Sequence, residues 1–260
     1  MRIPFVKMHG AGNDFILIDN RDEALPMNHD FIATLGARQT GVGCEGVIFV
    51  QRSATADFRM RFFNPDGSEA ELCGNGARCV AAFARTIGAV KTDVMRFETL
   101  AGDIRAEIKD SGLVKVWMPD PKDLRVDFVN SGVPHKIVPV TDLACVDVAN
   151  EGRRIRYSDE FAPTGTNVDF VAYHAPQRAD IRTYERGVEA ETGACGTGSV
   201  AAALVGVAQY GLKFPVTVRT VKGYELVIDG EFDGTSFHSV SLTGPVARVF
   251  SGEVESSCFT

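Results

Sequence analysis

The sequence predicts an α+β fold of two homologous halves related by pseudo-two-fold symmetry, each a mostly antiparallel sheet or barrel wrapped around a central helix. Three observations predict it. The chain matches itself when slid by 122 residues, the separation of Cys73 from Cys195. Each half reads in one order: a Gly-rich turn, short apolar strands, a Cys-Gly-x-Gly turn, an Ala-rich helix, then alternating strands. The two Ala-rich helices also carry little charge, which suits a helix enclosed by its own sheet more than one lying on a surface.

The self-match holds at many positions. Cys73-Gly74-Asn75-Gly76-Ala77 falls on Cys195-Gly196-Thr197-Gly198-Ser199, Glu69 on Glu191, and Ala81 on Ala203. Gly10 falls on Gly132, Phe15-Ile16 on Ile137-Val138, and Gly43 on Gly165. With one residue deleted, Thr99 and Gly102 fall on Thr220 and Gly223. Agreement in one register identifies a duplicated unit. The halves are placed at 1–120 and 121–249, with a hinge at Pro119-Asp120-Pro121 and the segment 250–260 left open to cross back to the first half.

Taken in order, Phe15–Ile18 and Val47–Val50 read as apolar strands of the first half, and Ile137–Val140 and Val168–Val171 as those of the second. Asn28 can cap an amphipathic helix that follows it. Helices are expected over 74–87 and 196–210, stopped by Gly88 and Gly211. Period-two alternation marks strands at 104–108 and 216–219.

Bulk properties narrow the function. At 260 residues, 45% hydrophobic and 23% charged, the chain can bury a core without metals or staples. A net charge of −7 argues against a sequence-tolerant nucleic-acid binder. The longest small-apolar stretch, Val200–Ala208, is far short of the roughly 20 residues of a spanning helix, and no signal-like segment opens the chain. A cytoplasmic protein, with neither nucleic acid nor membrane as partner, is expected; the charge balance says nothing about small substrates.

Six cysteines occur, at 44, 73, 79, 145, 195 and 258, with no Cys-x-x-Cys pair. A single Cys at a helix start reads first as a packed apolar residue. Two at equivalent points of a duplicated unit, each followed by Gly-x-Gly, read as chemistry. A helix N-terminus favours a thiolate and offers N–H groups to a carboxylate. Two such ends aimed at one point would hold a carboxylate between two thiols. One thiol could then remove an α-hydrogen while the other returns a proton to the opposite face, with the N–H donors stabilising the carbanion. Metal binding by Cys73, Cys195 and a His lacks the usual ligand spacing, so no metal and no cofactor are expected.

Lys7-Met8-His9-Gly10-Ala11-Gly12-Asn13-Asp14-Phe15 resembles the opening signature of the diaminopimelate epimerases. Phe63-Asn64-Pro65-Asp66-Gly67-Ser68-Glu69, with Cys73 to Arg78, resembles that family's first cysteine motif. Glu185-Arg186-Gly187, with Glu191 to Gly198, resembles its second. The resemblance implies interconversion of LL- and meso-2,6-diaminopimelate in lysine and cell-wall precursor synthesis, an active site in the cleft between the halves, and a homodimer. It implies Cys73 and Cys195 as proton-transfer residues, supported by His135 and Glu185. It implies that Gly74, Asn75, Gly196 and Thr197 hold the carboxylate, and that Asn13, Asn64, Asn167, Glu185 and Arg186 bind the amines and distal carboxylate.

Plainer roles stay open for several of these. Asn13 and Asn64 sit in turn-forming sequence. His135 follows Pro134 and suits a packed histidine, Glu185 a solvated charge, and Arg186 a surface ion pair. The chain departs from some family members in having Gly46 where they have Gln and Val133 where they have Asn. An epimerase for another amino acid, with the same thiols and a different distal pocket, is the alternative. A redox sensor with a switchable Cys73–Cys195 disulfide is a third reading.

Overall fold

A computed structural model describes residues 2–255; the segment 256–260, with Cys258, and Met1 lie outside the described residues. The chain forms two compact units. One runs through Val116 and takes in the chain again from Pro245 onward; the other is Trp117–Gly244. The change of unit at Val116 comes just before Pro119-Asp120-Pro121.

In the first unit the strands are β1 (Arg2–Gly10), β2 (Asn13–Asp19), β3 (Gly46–Gln51), β4 (Phe58–Phe63), β5 (Glu69–Ala70), β6 (Val94–Thr99), β7 (Gly102–Ile108) and β8 (Val114–Trp117). Helix α1 (His29–Gly36) follows β2, and α2 (Gly74–Thr86) follows β5. The second unit opens with β9 (Lys122–Arg125), β10 (Phe128–Asn130) and β11 (Pro134–Pro139). It continues with α3 (Val148–Arg156), β12 (Asn167–His174), β13 (Arg178–Glu185), β14 (Ala190–Thr192) and α4 (Gly196–Gln209). It ends with β15 (Val216–Thr220), β16 (Glu225–Phe232) and β17 (Phe237–Gly244); β18 (Val246–Glu255) then joins the first unit.

The duplication is complete at the level of strand pairing. β1–β2 is antiparallel, β2–β3 parallel, β3–β4 and β4–β5 antiparallel, β4–β6 parallel, and β6–β7 and β7–β8 antiparallel. The series β10–β11–β12–β13–β14, then β13–β15–β16–β17, repeats those directions in the same order. Each unit also gains one strand from the chain that follows the other unit's last strand: β9 pairs with β10, and β18 with β1.

The expected central helices are present. In α2, residues 74–81 are all buried, and α4 carries no charged side chain and is buried from Gly198 to Gly206. An apolar helix of this kind is stable only when covered on all sides. Here strands of its own unit cover it, β1, β2, β3 and β7 for α2 and β10 to β13, β15 and β16 for α4. Gly88 and Gly211 follow the helix ends with φ of +68° and +71°, the left-handed geometry that closes a helix and that Gly adopts without strain.

A second, outer core lies on each sheet's other side. α1, capped as expected by Asn28 Oδ1 accepting from Phe31 N at 2.9 Å, packs Phe31, Ile32 and Leu35 on Ile16, Ile18, Val47 and Phe49. α3 does the same with Val148 against Val168, Phe170 and Tyr184. Each fully buried side chain of this size contributes roughly 1.5–3 kcal/mol. Among the described residues no helix is long and apolar enough to cross a membrane.

The matched Glu69 and Glu191 have equivalent structural roles. Glu191 accepts two hydrogen bonds from Arg182, both at 2.8 Å, across the β13–β14 hairpin. Glu69 pairs with Arg61 in the same fork across β4–β5. A planar guanidinium gripping both carboxylate oxygens fixes each short hairpin just before the Cys turn.

Candidate active site

The opening motif forms a tight hairpin. Gly10 pairs with Asn13, and the two loop residues, Ala11 and Gly12, have φ of +53° and +84°, a type I′ turn. Lys7, buried in β1, pairs with Asp14 and donates to the Gly43 carbonyl, so these motif residues lock the turn. Asn13 stands at the exit, and its Oδ1 is a buried acceptor with no partner among the described residues. Asn64 begins the Pro-Asp-Gly turn: its N donates to Ser68 O at 2.8 Å and its Nδ2 to Ser68 Oγ at 3.0 Å.

Cys73 is the N-cap of α2, half-buried, with extended backbone angles of −130° and 120°. The first helical hydrogen bond runs from Ala77 N to Cys73 O at 2.7 Å, so the N–H groups of Gly74, Asn75 and Gly76 precede it. Arg78, on the next turn, is fully buried beneath them. Its guanidinium donates to Asn75 Oδ1 at 2.7 Å and to Gly74 O at 3.2 Å.

Cys195 is the N-cap of α4 and is 8% exposed. Its Sγ accepts from Gly198 N at 3.4 Å and lies 3.4 Å from Thr197 Oγ1. Thr197 Oγ1 is 3.0 Å from His135 Nε2, and His135 Nδ1 is 2.7 Å from Asp169 Oδ2. Thr183 Oγ1 donates to the other Asp169 oxygen at 2.7 Å. His135 and Asp169 are both wholly buried, so His135 is packed and also reaches Cys195 through one hydroxyl. With the Nδ1 proton held by Asp169, Nε2 accepts from Thr197, leaving the Thr197 oxygen to accept from the Cys195 thiol.

The N-terminal position of Cys195 predicts a stabilised thiolate, but here other effects win. Burial, and then the carboxylates of Glu185 and Asp169, push its thiol well above the ordinary range, outweighing the hydrogen bond it receives from Gly198 N. Cys195 therefore rests as a thiol.

The remaining second-unit residues surround this turn through the β13–β14 hairpin. Glu185 accepts from Thr192 Oγ1 at 2.8 Å. Asn167 Oδ1 accepts from Arg186 N at 2.8 Å and its Nδ2 donates to Pro134 O at 3.1 Å, so this amide joins β11, β12 and the end of β13. Arg186 is half-buried, and among the described residues its side chain donates to Thr164 O at 3.4 Å.

Gly46 has a local reason to be Gly: a Cβ there would stand 2.5 Å from the Phe62 ring and 3.1 Å from that of Phe15. Two aromatic rings take the space that a longer side chain would need. Val133 lies in the turn between β10 and β11, where its carbonyl accepts from Ser131 N at 3.2 Å.

Sequence reasoning missed Arg78, Asp169 and Thr183. Asp169 left a signal, as a lone charge inside the apolar run Val168–Val171. A charge in a strand buried on both faces needs a partner.

The family model for diaminopimelate epimerase matches residues 5–123 and 128–249. The diaminopimelate epimerase of Aquifex aeolicus is 46% identical over 275 aligned positions, covering 96% of this chain and 97% of that one. That of Chlorobaculum tepidum is 40% identical over 257, covering 95% and 99%. Among solved structures, a phenazine biosynthesis protein of the PhzF family from Bacillus anthracis superposes with a TM-score of 0.76 at 19% identity, covering 98% of this chain and 99% of that one. A probable proline racemase from Agrobacterium radiobacter gives 0.73 at 17%, covering 98% and 93%; at such identities these two matches speak to the fold. With a full-length match to the family model and relatives far above chance identity, the chain belongs to the diaminopimelate epimerase family.

Proposed function

We propose that the chain interconverts LL- and meso-2,6-diaminopimelate by two-base proton transfer between thiols, without a cofactor, in the synthesis of lysine and cell-wall precursors. The observation that carries this reading is the pair of N-cap cysteines, each heading a buried helix whose first turn is Gly-x-Gly.

In one direction the Cys73 thiolate takes the α-hydrogen as a proton. The electron pair moves into the carboxylate, and the Cys195 thiol gives its proton to the opposite face. The enzyme is left with a Cys73 thiol and a Cys195 thiolate, and the reverse reaction restores the first state. The first-turn N–H groups of Gly74, Asn75, Gly196 and Thr197 hold the carboxylate and stabilise its added charge. That interaction grows toward the transition state, so it speeds the chemical step.

Asn13, Asn64, Asn167 and Glu185 bind the amines, and Arg186 takes the distal carboxylate in a fork. The unsatisfied Asn13 Oδ1 supports the first of these, since a buried acceptor suits an ammonium donor. His135 and Glu185 support Cys195, one through Thr197 and one through its charge. The family resemblance adds a homodimer in the cytoplasm, and light scattering on the purified protein tests the dimer.

The deciding experiment supplies LL-diaminopimelate to reduced, purified protein in deuterium oxide with no added cofactor. Formation of the meso isomer with deuterium at the inverted carbon is expected. A folded, reduced protein that neither epimerises nor exchanges that hydrogen would rule the reading out.

A further inference from the structure

Arg78 is a cation in an unusual place. Among the described residues its side chain is wholly buried, its Nε has no hydrogen-bond partner, and no carboxylate acts on its charge. The ionisable groups that act on it are the thiols of Cys79 and Cys73. Burial opposes its charge, yet a guanidinium keeps its proton in proteins. An uncompensated buried charge is costly, so an arrangement that retains one implies an anion supplied in the working state.

The duplicated unit provides an internal control. At the same point of α4 the chain has Val200, also buried. Helix packing in this fold therefore does not need the charge. The surroundings of the two helix starts differ in the opposite sense as well. A Cβ on Gly76 would meet the side chains of Ile48, Met60 and Phe15, whereas one on Gly198 would meet Asp169 Oδ1 at 2.6 Å. One Cys turn thus stands over a cation in an apolar bed, and the other over a carboxylate.

Two details show that the cation is held in place. Gly10 of β1 leaves room for it: a Cβ there would lie 3.3 Å from an Arg78 terminal nitrogen and 2.9 Å from Asn75 O. Its bonds to Gly74 O and Asn75 Oδ1 tie it to the turn whose N–H groups are assigned to the substrate carboxylate.

We propose that Arg78 is a positioning residue, the buried counter-ion that holds Cys73 as the resting thiolate while orienting the Gly74-Asn75 turn. It sets the protonic state in which the free enzyme meets its first substrate: anion at Cys73, proton at Cys195. This rests on Cys73 and Cys195 being the proton-transfer pair. The test below reads thiol ionisation directly rather than turnover, so the two ideas can fail separately.

The experiment follows alkylation of the full-length protein by iodoacetamide across pH, with each cysteine resolved by peptide mass spectrometry. The midpoint of each rate profile reports thiolate formation independently of access. In the wild type, the Cys73 midpoint should lie below that of Cys195. In Arg78→Met it should rise by about 1–3 pH units, the usual effect of losing a close opposite charge, with the Cys195 midpoint unmoved. In Arg78→Lys, which keeps the charge, it should stay near wild type. A merely structural role would lower the melting temperature of both variants and leave the Cys73 midpoint in place. If Arg78→Met does not fold, the wild-type order and Arg78→Lys decide. A wild-type Cys73 midpoint at or above that of Cys195, or one unmoved in folded Arg78→Met, would overturn the proposal.

Discussion

Replacing Asp169 with Asn removes one charge and little volume from the chain of contacts behind Cys195. Asp169 accepts from His135 Nδ1 and Thr183 Oγ1, both at 2.7 Å, in a site with no solvent exposure. A hydrogen bond to a charged group contributes about 1.5–3 kcal/mol. If that whole amount serves to keep the His135 tautomer and steady any charge it gains during proton transfer, turnover should fall about 10- to 150-fold. The same change removes an anion that opposes ionisation of Cys195. The sign follows: without Asp169 the Cys195 thiol should ionise at lower pH, so its alkylation midpoint should move down as turnover drops. Epimerisation followed by chiral chromatography gives the first quantity and peptide-resolved alkylation the second. Wild-type turnover in a folded Asp169→Asn protein, or a Cys195 midpoint that moves up, would refute the reasoning.

Other perturbations have equally definite outcomes. Cys73→Ser and Cys195→Ser should each lower epimerisation by about 10²–10⁴-fold, the usual worth of a positioned acid or base, as measured by meso isomer formation. Gly152→Ala should destabilise the second unit although Ala favours helix by about 1 kcal/mol over Gly. The new Cβ would stand 2.4 Å from Tyr184 Cβ, a clash worth about 1–3 kcal/mol, seen as a lower urea midpoint. Burial pushes the Cys44 and Cys79 thiols up to about 11 and about 12, so both should resist iodoacetamide at neutral pH in the native protein and react once it is unfolded. Oxidation that joins Cys73 to Cys195 should abolish activity, and reduction should restore it, as read by non-reducing mass spectrometry beside the assay.

Much of this architecture was legible in the residues because duplication writes each element twice. The Cys73 and Cys195 turns, the two apolar helices and the strand pairs before them were visible as matched patterns. Local signals also sufficed for the Asn28 cap and the stops at Gly88 and Gly211. Contacts joining distant segments were harder to see. Nothing in the neighbourhood of Asp169 announces that His135 and Thr183 will converge on it, and Arg78 looks like an ordinary helical arginine until the burial of its helix is known. The self-match found Glu69 and Glu191 but gave no reason for them; the reason lies in Arg61 and Arg182 across their hairpins, one residue out of the common register. The sequence around Gly46 likewise does not show that the rings of Phe62 and Phe15 occupy the space beside it.

The pairing of β1 with β18, from Arg2 opposite Glu255 to Gly10 opposite Val246, has a consequence for biogenesis. During synthesis β1 waits for β18, made much later, before its outer edge is covered. Until then the nascent first unit exposes unpaired amides and carbonyls, a natural landing place for a chaperone or for another unfinished chain. The second unit, whose β9 comes from sequence already translated, can close its sheet earlier. A truncation that removes β18 should therefore harm the unit that contains β1, far from it in sequence.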